Sequence, residues 1–327
     1  MNIEFPKDVL EAYARIRKDI RRTPLEPAAE LGRAAGARVF VKWECDQITG
    51  SFKLRGALNK LRALSPEERV LGVVSASTGN HGLAIGHAAR LEGVSLTLFL
   101  PRTAAAVKRA KIEALGVDIR TFGDDCGETE VHAREYALGA GRIYVSPYND
   151  FSIIAGQGTI GIESLEDEPG VDDVLVAIGG GGLIAGIAGY LKAVKPGTRI
   201  FGVEPETSAF MKASVEAGHL VSIAEGPTVA DAVAGGIEPG AITFPLCRDL
   251  VDAYITVPEN AIVAAMEMVH RTYGRRIEGA AALPIAGLLG RPERFRGRTI
   301  VCVASGGNID PGRFDELVGA ERSSRPS

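Results

Sequence analysis

The residue types best suited to chemistry in this chain begin with a lysine. Lys53 lies in Gly50-Ser51-Phe52-Lys53-Leu54-Arg55-Gly56-Ala57, between a run of strand character at 38–44 and leucines at helical spacing over 57–64. A helix N-terminus offers spare N–H donors and the positive end of the peptide dipole, so it disfavours a further ammonium charge. That setting lowers an amine pKa, as imine chemistry requires; the competing reading is a solvated surface lysine. Gly179-Gly180-Gly181-Gly182 follows the apolar run 174–178 and opens a helix at Leu183. Four glycines let backbone N–H groups converge on an anion, so the stretch is expected to bind phosphate, with a tight turn as the alternative. It lacks the Walker lysine and the full dinucleotide fingerprint. Ser77-Thr78-Gly79-Asn80-His81-Gly82 also joins a strand to a helix. Its hydroxyls, amide and helix-end N–H groups suit a carboxylate, unless Ser77 or Thr78 only caps the helix.

Five such stretches occur in order: 50–57, 77–82, Ala155-Gly156-Gln157-Gly158-Thr159, Gly179-Gly180-Gly181-Gly182-Leu183 and Ala304-Ser305-Gly306-Gly307-Asn308. With them the chain resembles pyridoxal-phosphate (PLP) enzymes of the tryptophan-synthase-β type, fold type II, in the serine/threonine dehydratase and serine racemase group. The resemblance runs over about residues 23–318. It implies an α/β fold with two open, twisted, mostly parallel sheets, flanking helices and an active site in the cleft between domains. It also implies PLP as cofactor, held by Lys53, with Phe52 beside its ring and its phosphate on Gly179, Gly180, Gly181, Gly182 and Leu183. Asn80 is then expected at the ring hydroxyl and Ser305 at the pyridine nitrogen. Glu278 is expected near the ring, with an ion pair to Arg275 or Arg276 as the alternative. Ser77, Thr78, Gly79, Asn80 and His81 are expected to grip a substrate carboxylate; His81 as a satisfied buried histidine is the other reading. The implied reaction is loss of an α-proton to the Lys53 amine and departure of a β-hydroxyl, ending in a 2-oxo acid and ammonia. L-Threonine and L-serine are the expected substrates.

Three departures from the family pattern bear on that expectation. Thr78 stands where the racemases have the serine that reprotonates the opposite face, so racemisation is disfavoured and a catalytic hydroxyl is kept. Glu204 and the Ser208 backbone match two parts of the family's divalent-cation site, but Phe210 replaces its aspartate. A hard cation then loses much of its oxygen shell, and no metal is expected. The stretch 232–239 differs near the substrate side chain. 3-Hydroxyaspartate, phenylserine and a hydroxyectoine-derived diamino acid are therefore alternative substrates, with Arg55, Arg275 or Arg276 as candidates to meet a second carboxylate. Amino-acid racemisation and a non-catalytic PLP or amino-acid binding role also stay open. Asn80-His81-Gly82 differs from the Asn-Thr-Gly of cysteine synthases, and Leu54 from the aspartate of threonine synthases.

Composition sets outer bounds. At 327 residues, 46% hydrophobic and 24% charged, the chain reads as an ordinary soluble globular protein. A formal net charge of -4 argues against a nucleic-acid footprint. Cys45, Cys126, Cys247 and Cys302 are scattered without a CxxC pair, which points to free thiols in a reducing compartment. No signal core and no run of about 18 apolar residues stands out, so a cytoplasmic protein without a membrane span is expected. The family favours homodimers.

The elements that must position these motifs alternate. A helix over 6–20, a short helix over 28–35 and the strand at 38–44 lead to the lysine. Strands at 70–75, 95–100, 117–122 and 142–145 alternate with helices at 82–92, 104–115 and 128–137. A second series follows: helix 158–165, strand 173–178, helix 183–194, strand 199–203, helix 208–218, strand 253–257, helix 258–273 and strand 299–303, then a frayed tail after 318. Alternation of this kind builds parallel sheets with right-handed crossovers. The expected division is a large PLP domain, 1–70 with 149–327, and a small domain, 71–148, with no C-terminal regulatory domain.

Overall fold

A computed structural model describes residues 3–104 and 106–324. The chain opens with α1 (Lys7–Ile16), β1 (Leu25–Pro27), α2 (Ala29–Ala35), β2 (Arg38–Trp43), α3 (Lys53–Arg62) and α4 (Pro66–Leu71). Then come β3 (Val73–Ala76), α5 (Asn80–Glu92), β4 (Leu96–Leu100), α6 (Ala106–Glu113), β5 (Asp118–Thr121), α7 (Cys126–Gly139) and β6 (Ile143–Tyr144). The next stretch holds α8 (Phe151–Asp167), β7 (Asp173–Ala177), α9 (Gly182–Val194), β8 (Arg199–Pro205), α10 (Phe210–Ala217) and α11 (Thr243–Leu250). It ends with β9 (Ala253–Val257), α12 (Glu259–Tyr273), α13 (Gly279–Gly290), β10 (Thr299–Ala304) and α14 (Pro311–Ser324).

Two sheets result. One has six strands in the order β1-β2-β10-β7-β8-β9, the other four in the order β5-β4-β3-β6. All pairings are parallel except β1 with β2. The last strand inserts in the middle: Ile300 aligns with Val39 on one side and Asp173 on the other. Strands β7 and β10 are buried at every position, as runs apolar after their first residue and covered on both faces should be. The α3 helix belongs to the second core: Leu54, Leu58 and Leu61 pack with Ile85 of α5, Leu98 of β4 and Ile153 of α8. The lysine helix therefore sits where the two units meet.

Several boundaries differ from the sequence expectation. The strand expected from residue 70 starts at Val73, because Ser65-Pro66-Glu67-Glu68 begins a helix. Ser65 Oγ accepts from Glu68 N at 3.2 Å and the Glu68 carboxylate accepts from Ser65 N at 2.7 Å, a reciprocal cap. Val70 is consequently 84% exposed at the end of that helix. The α13 helix is absent from the expectation because its sequence is apolar all round and contains Pro284, so it shows no period to read. The α11 helix, with Pro245 inside it, is likewise absent, and α8 begins at Phe151 rather than 158. The tail expected to fray is helical to Ser324; residues 325–327, and residue 105 within the expected 104–115 helix, lie outside the described residues. Among the described residues no helix is long and apolar enough to cross a membrane.

Candidate active site

The lysine loop is pinned to the loop that follows β10. Ser51 forms an antiparallel bridge with Gly306, Phe52 N donates to Ser305 O at 3.1 Å, and Gly307 N donates to Gly50 O at 2.9 Å. Beneath it lies a fully buried charge network. Arg55 makes two bonds to the Glu44 carboxylate, at 2.9 and 2.8 Å, and two to Glu163, both at 2.8 Å. Lys42 Nζ adds a bond to Glu163 at 2.6 Å, so two cations face two carboxylates with no net charge. These paired bonds hold the first turn of α3 to the turn that follows β2 and to α8. Lys53 then projects into the cleft, where Nζ donates to Pro147 O at 2.8 Å and lies 5.1 Å from the Phe52 ring centre. Burial pulls its pKa down to about 8, partly opposed by the carboxylates of Glu278 and Glu130. The direction agrees with the helix-end argument, but burial is the larger cause.

The glycine stretch forms a cradle without side chains at the start of α9. Gly181 has φ +85° and precedes the helix, a conformation that excludes most other residues. A Cβ at Gly180 would meet the Tyr148 ring at 2.4 Å, and one at Gly179 would meet Val233 Cα at 2.9 Å. Backbone N–H groups at the end of a helix dipole, with space kept open above them, fit a phosphate group. Tyr148 lies outside the five motifs, and only the packing reveals its place against the cradle.

Three amide and carboxylate side chains are bonded in series. Asn308 Nδ2 donates to Thr49 O at 2.8 Å and to Asn80 Oδ1 at 2.7 Å; Asn80 Nδ2 donates to Glu278 Oε1 at 2.7 Å. Asn80 is thereby fixed in rotation. An ion pair of Glu278 with a neighbouring arginine is not what forms: Arg275 bonds Glu26 and Asp46, and Arg276 lies 3.7 Å from Asp315. Asn308 closes the fifth motif, where the sequence suggests no role for it; its distance along the chain from Asn80 hides the contact.

In the 77–82 loop, Ser77 Oγ accepts from Gly79 N at 3.2 Å, and α5 begins at Asn80 with no side-chain cap. The capping alternative for Ser77 or Thr78 is therefore not realised, and Ser77, Thr78 and Gly79 line the cleft. His81 is buried, its Nε2 3.1 Å from Ser75 Oγ and 3.4 Å from Val145 O. Burial, helped by the Lys53 charge, pulls its pKa down to about 3, so the ring is neutral. It is a satisfied buried histidine.

The cleft encloses about 850 Å³ and takes walls from both units, bringing Lys53, the glycine cradle, the 77–81 loop, Glu278 and Ser305 together. Arg55, Arg275 and Arg276 are not among its walls, which corrects the expectation that one of them meets a second substrate carboxylate. Lys111 and Arg313 reach only its exposed margin. Glu204 is turned toward its own fold: its carboxylate accepts from Met211 N and Lys212 N, both at 2.9 Å, closing the first turn of α10 behind Phe210. Among the described residues no group of three or more His, Cys, Asp or Glu could hold a metal ion.

Two parallel-sheet units meeting at a cleft with a half-buried lysine and a glycine cradle define a PLP enzyme of fold type II. Residues 16–306 match the family of pyridoxal-phosphate dependent enzymes, and the chain belongs to that family. It is 37% identical over 312 residues to the L-threonine ammonia-lyase of Thermotoga maritima, covering 95% of this chain and 77% of that one. It is 38% identical over 315 residues to the catabolic L-threonine dehydratase TdcB of Staphylococcus aureus, covering 95% and 91%. The structure of maize serine racemase superposes with a TM-score of 0.89 at 33% identity, covering 97% of each chain.

Proposed function

We propose that this protein dehydrates and deaminates a β-hydroxy amino acid, L-threonine or L-serine, to a 2-oxo acid and ammonia. The observation that carries the reading is Lys53: an amine with lowered pKa, held between a phosphate-sized cradle and a loop of hydroxyl and N–H donors. PLP supplies the electron-withdrawing ring when bound. In this reading the backbone of 179–182 with Leu183 holds the phosphate, Asn80 meets the ring hydroxyl, Ser305 meets the pyridine nitrogen and Phe52 packs beside the ring. Glu278 fixes Asn80 and supplies negative charge near Lys53. Ser77, Thr78, Gly79, Asn80 and the His81 backbone bind the substrate carboxylate, and the neutral His81 ring only buttresses that loop. The Lys53 amine, when free, removes the α-proton; a lowered pKa leaves more of it unprotonated at neutral pH. The Thr78 hydroxyl stands as the second proton-carrying group. Residues 71–148 form the small domain and 1–70 with 149–327 the large one, in a cytoplasmic homodimer; the free cysteines, with Cys247 and Cys302 buried, support a reducing compartment.

The test is release of 2-oxo acid and ammonia from L-serine, L-threonine, both 3-hydroxyaspartates and phenylserine. Turnover should favour threonine or serine, and Lys53→Ala should abolish it. With no arginine in the cleft walls from 55, 275 or 276, the 3-hydroxyaspartates should be poor substrates. A PLP-loaded protein that releases no oxo acid from any of these would sink the dehydratase reading.

A further inference from the structure

At the edge of the cleft, which it reaches through the lining residue Glu130, lies a second arginine network that the chemistry above does not use. Arg134 and Glu130 lie one turn apart on α7, with Arg134 Nη2 2.9 Å from Glu130 Oε1. Tyr144 of β6 donates its hydroxyl to the same oxygen at 3.0 Å, and the Arg134 guanidinium lies 4.3 Å from the Tyr144 ring centre. All of these residues belong to the four-stranded unit. From the six-stranded unit, two residues beyond the lining residue Gly236, Glu238 also pairs with Arg134. Glu238 is held by its backbone, whose N–H donates to Tyr148 Oη at 3.0 Å; the Tyr148 ring in turn covers Gly180 of the cradle. The neighbouring Ile242 N donates to Asn149 Oδ1 at 2.9 Å.

We infer that Arg134 is a positioning residue that fastens the four-stranded unit over the cleft by bridging Glu130 of α7 to Glu238 of the facing segment. Without it, two carboxylates face each other across the mouth, and the relief open to them is separation and hydration. The guanidinium suits the task because its planar fork serves two carboxylates at once, which a lysine does less well. The side chains are 36%, 30% and 20% exposed for Arg134, Glu130 and Glu238, and Glu238 Oε1 is buried with no bond of its own, so the clasp is part-buried and less completely bonded than the Arg55 network. Through Tyr148, the same segment feels the cradle. The inference does not depend on which amino acid is consumed.

The experiment compares backbone deuterium exchange and steady-state kinetics of the PLP-loaded protein with Arg134→Gln, Arg134→Lys and Glu238→Gln. In Arg134→Gln, exchange should quicken together in α7 and in residues 234–242. The KM for L-threonine should rise about fivefold with kcat within about twofold, the size expected of a part-exposed ion-pair network. Arg134→Lys, which keeps the charge but not the fork, should restore only part of the loss. Glu238→Gln should give the same joint change in exchange although it substitutes no residue of α7, which separates a lost bridge from a damaged helix. Unchanged exchange at either segment in Arg134→Gln, or a silent Glu238→Gln, overturns the clasp. If wild-type protein does not turn over threonine, the dehydratase reading fails while exchange still decides the clasp.

Discussion

Arg55 and Arg134 each bridge two carboxylates, and they differ in their solvent. Arg55 sits with Lys42, Glu44 and Glu163, all four side chains fully buried, and binds both carboxylates by paired bonds. Arg134 sits at the cleft mouth, about a third exposed, and reaches Glu130 and Glu238 from two different units. Removing a charge from water costs several kcal/mol, which is recovered only where geometry is good and every oxygen is bonded. The buried network meets that condition and so has one arrangement. The mouth network keeps only part of its hydration, with one Glu238 oxygen buried and unbonded, and so lacks the condition that gives the buried network one arrangement. One fixes the lysine; the other governs access to it.

The largest effect that tests this contrast is on stability. Arg55→Leu leaves Glu44 and Glu163 buried without their guanidinium, and should cost about 3–5 kcal/mol. Arg134→Gln should cost under about 1 kcal/mol, since its partners can turn to water. Urea denaturation of the two variants, each with PLP bound, measures both. Equal losses would mean that burial does not divide the two networks as argued. A middle-sized effect is on salt response. Raising ionic strength screens part-exposed pairs far more than buried ones. Wild-type KM should therefore drift toward that of Arg134→Gln as salt increases, while the unfolding difference caused by Arg55→Leu should persist.

The contrast also explains what the sequence could and could not disclose. The lysine, the glycine cradle, the 77–82 loop and Ser305 are contiguous stretches at the ends of apolar runs, so each can be seen in the sequence, and the family resemblance brings them together. Alternating strands and helices likewise disclose two parallel sheets. What stays hidden depends on distance in the chain. Asn308 meets Asn80, Tyr148 covers Gly180, and Glu238 meets Arg134 only after the sheets have closed. Arg55 is legible as a charge near the lysine, but a charge has no periodicity that reports its partners. It can be read as a substrate anchor until Glu44 and Glu163 are seen to occupy it. The α13 helix is illegible for a related reason: a segment buried on every side offers no contrast between faces.

The smallest effect concerns the proton on Lys53, and here one carboxylate from each wall of the cleft contributes. Glu278 is 6% exposed and tied to Asn80, whereas Glu130 belongs to the clasp at the mouth. Both raise the Lys53 pKa against the stronger pull of burial, which leaves it at about 8, with Glu278 the larger of the two carboxylate contributions. In PLP-free protein, modification of Lys53 by an amine-selective reagent should rise with pH through that value, well below the 10.5 of an ordinary lysine. Removing a nearby negative charge disfavours the ammonium, so the profile should move to lower pH in Glu278→Gln and, by less, in Glu130→Gln. The order matters more than the size. If Glu130→Gln moved the profile further than Glu278→Gln, the mouth carboxylate would lie electrically closer to the lysine than the fixed wall, and the division between a rigid floor and a yielding mouth would have to be redrawn.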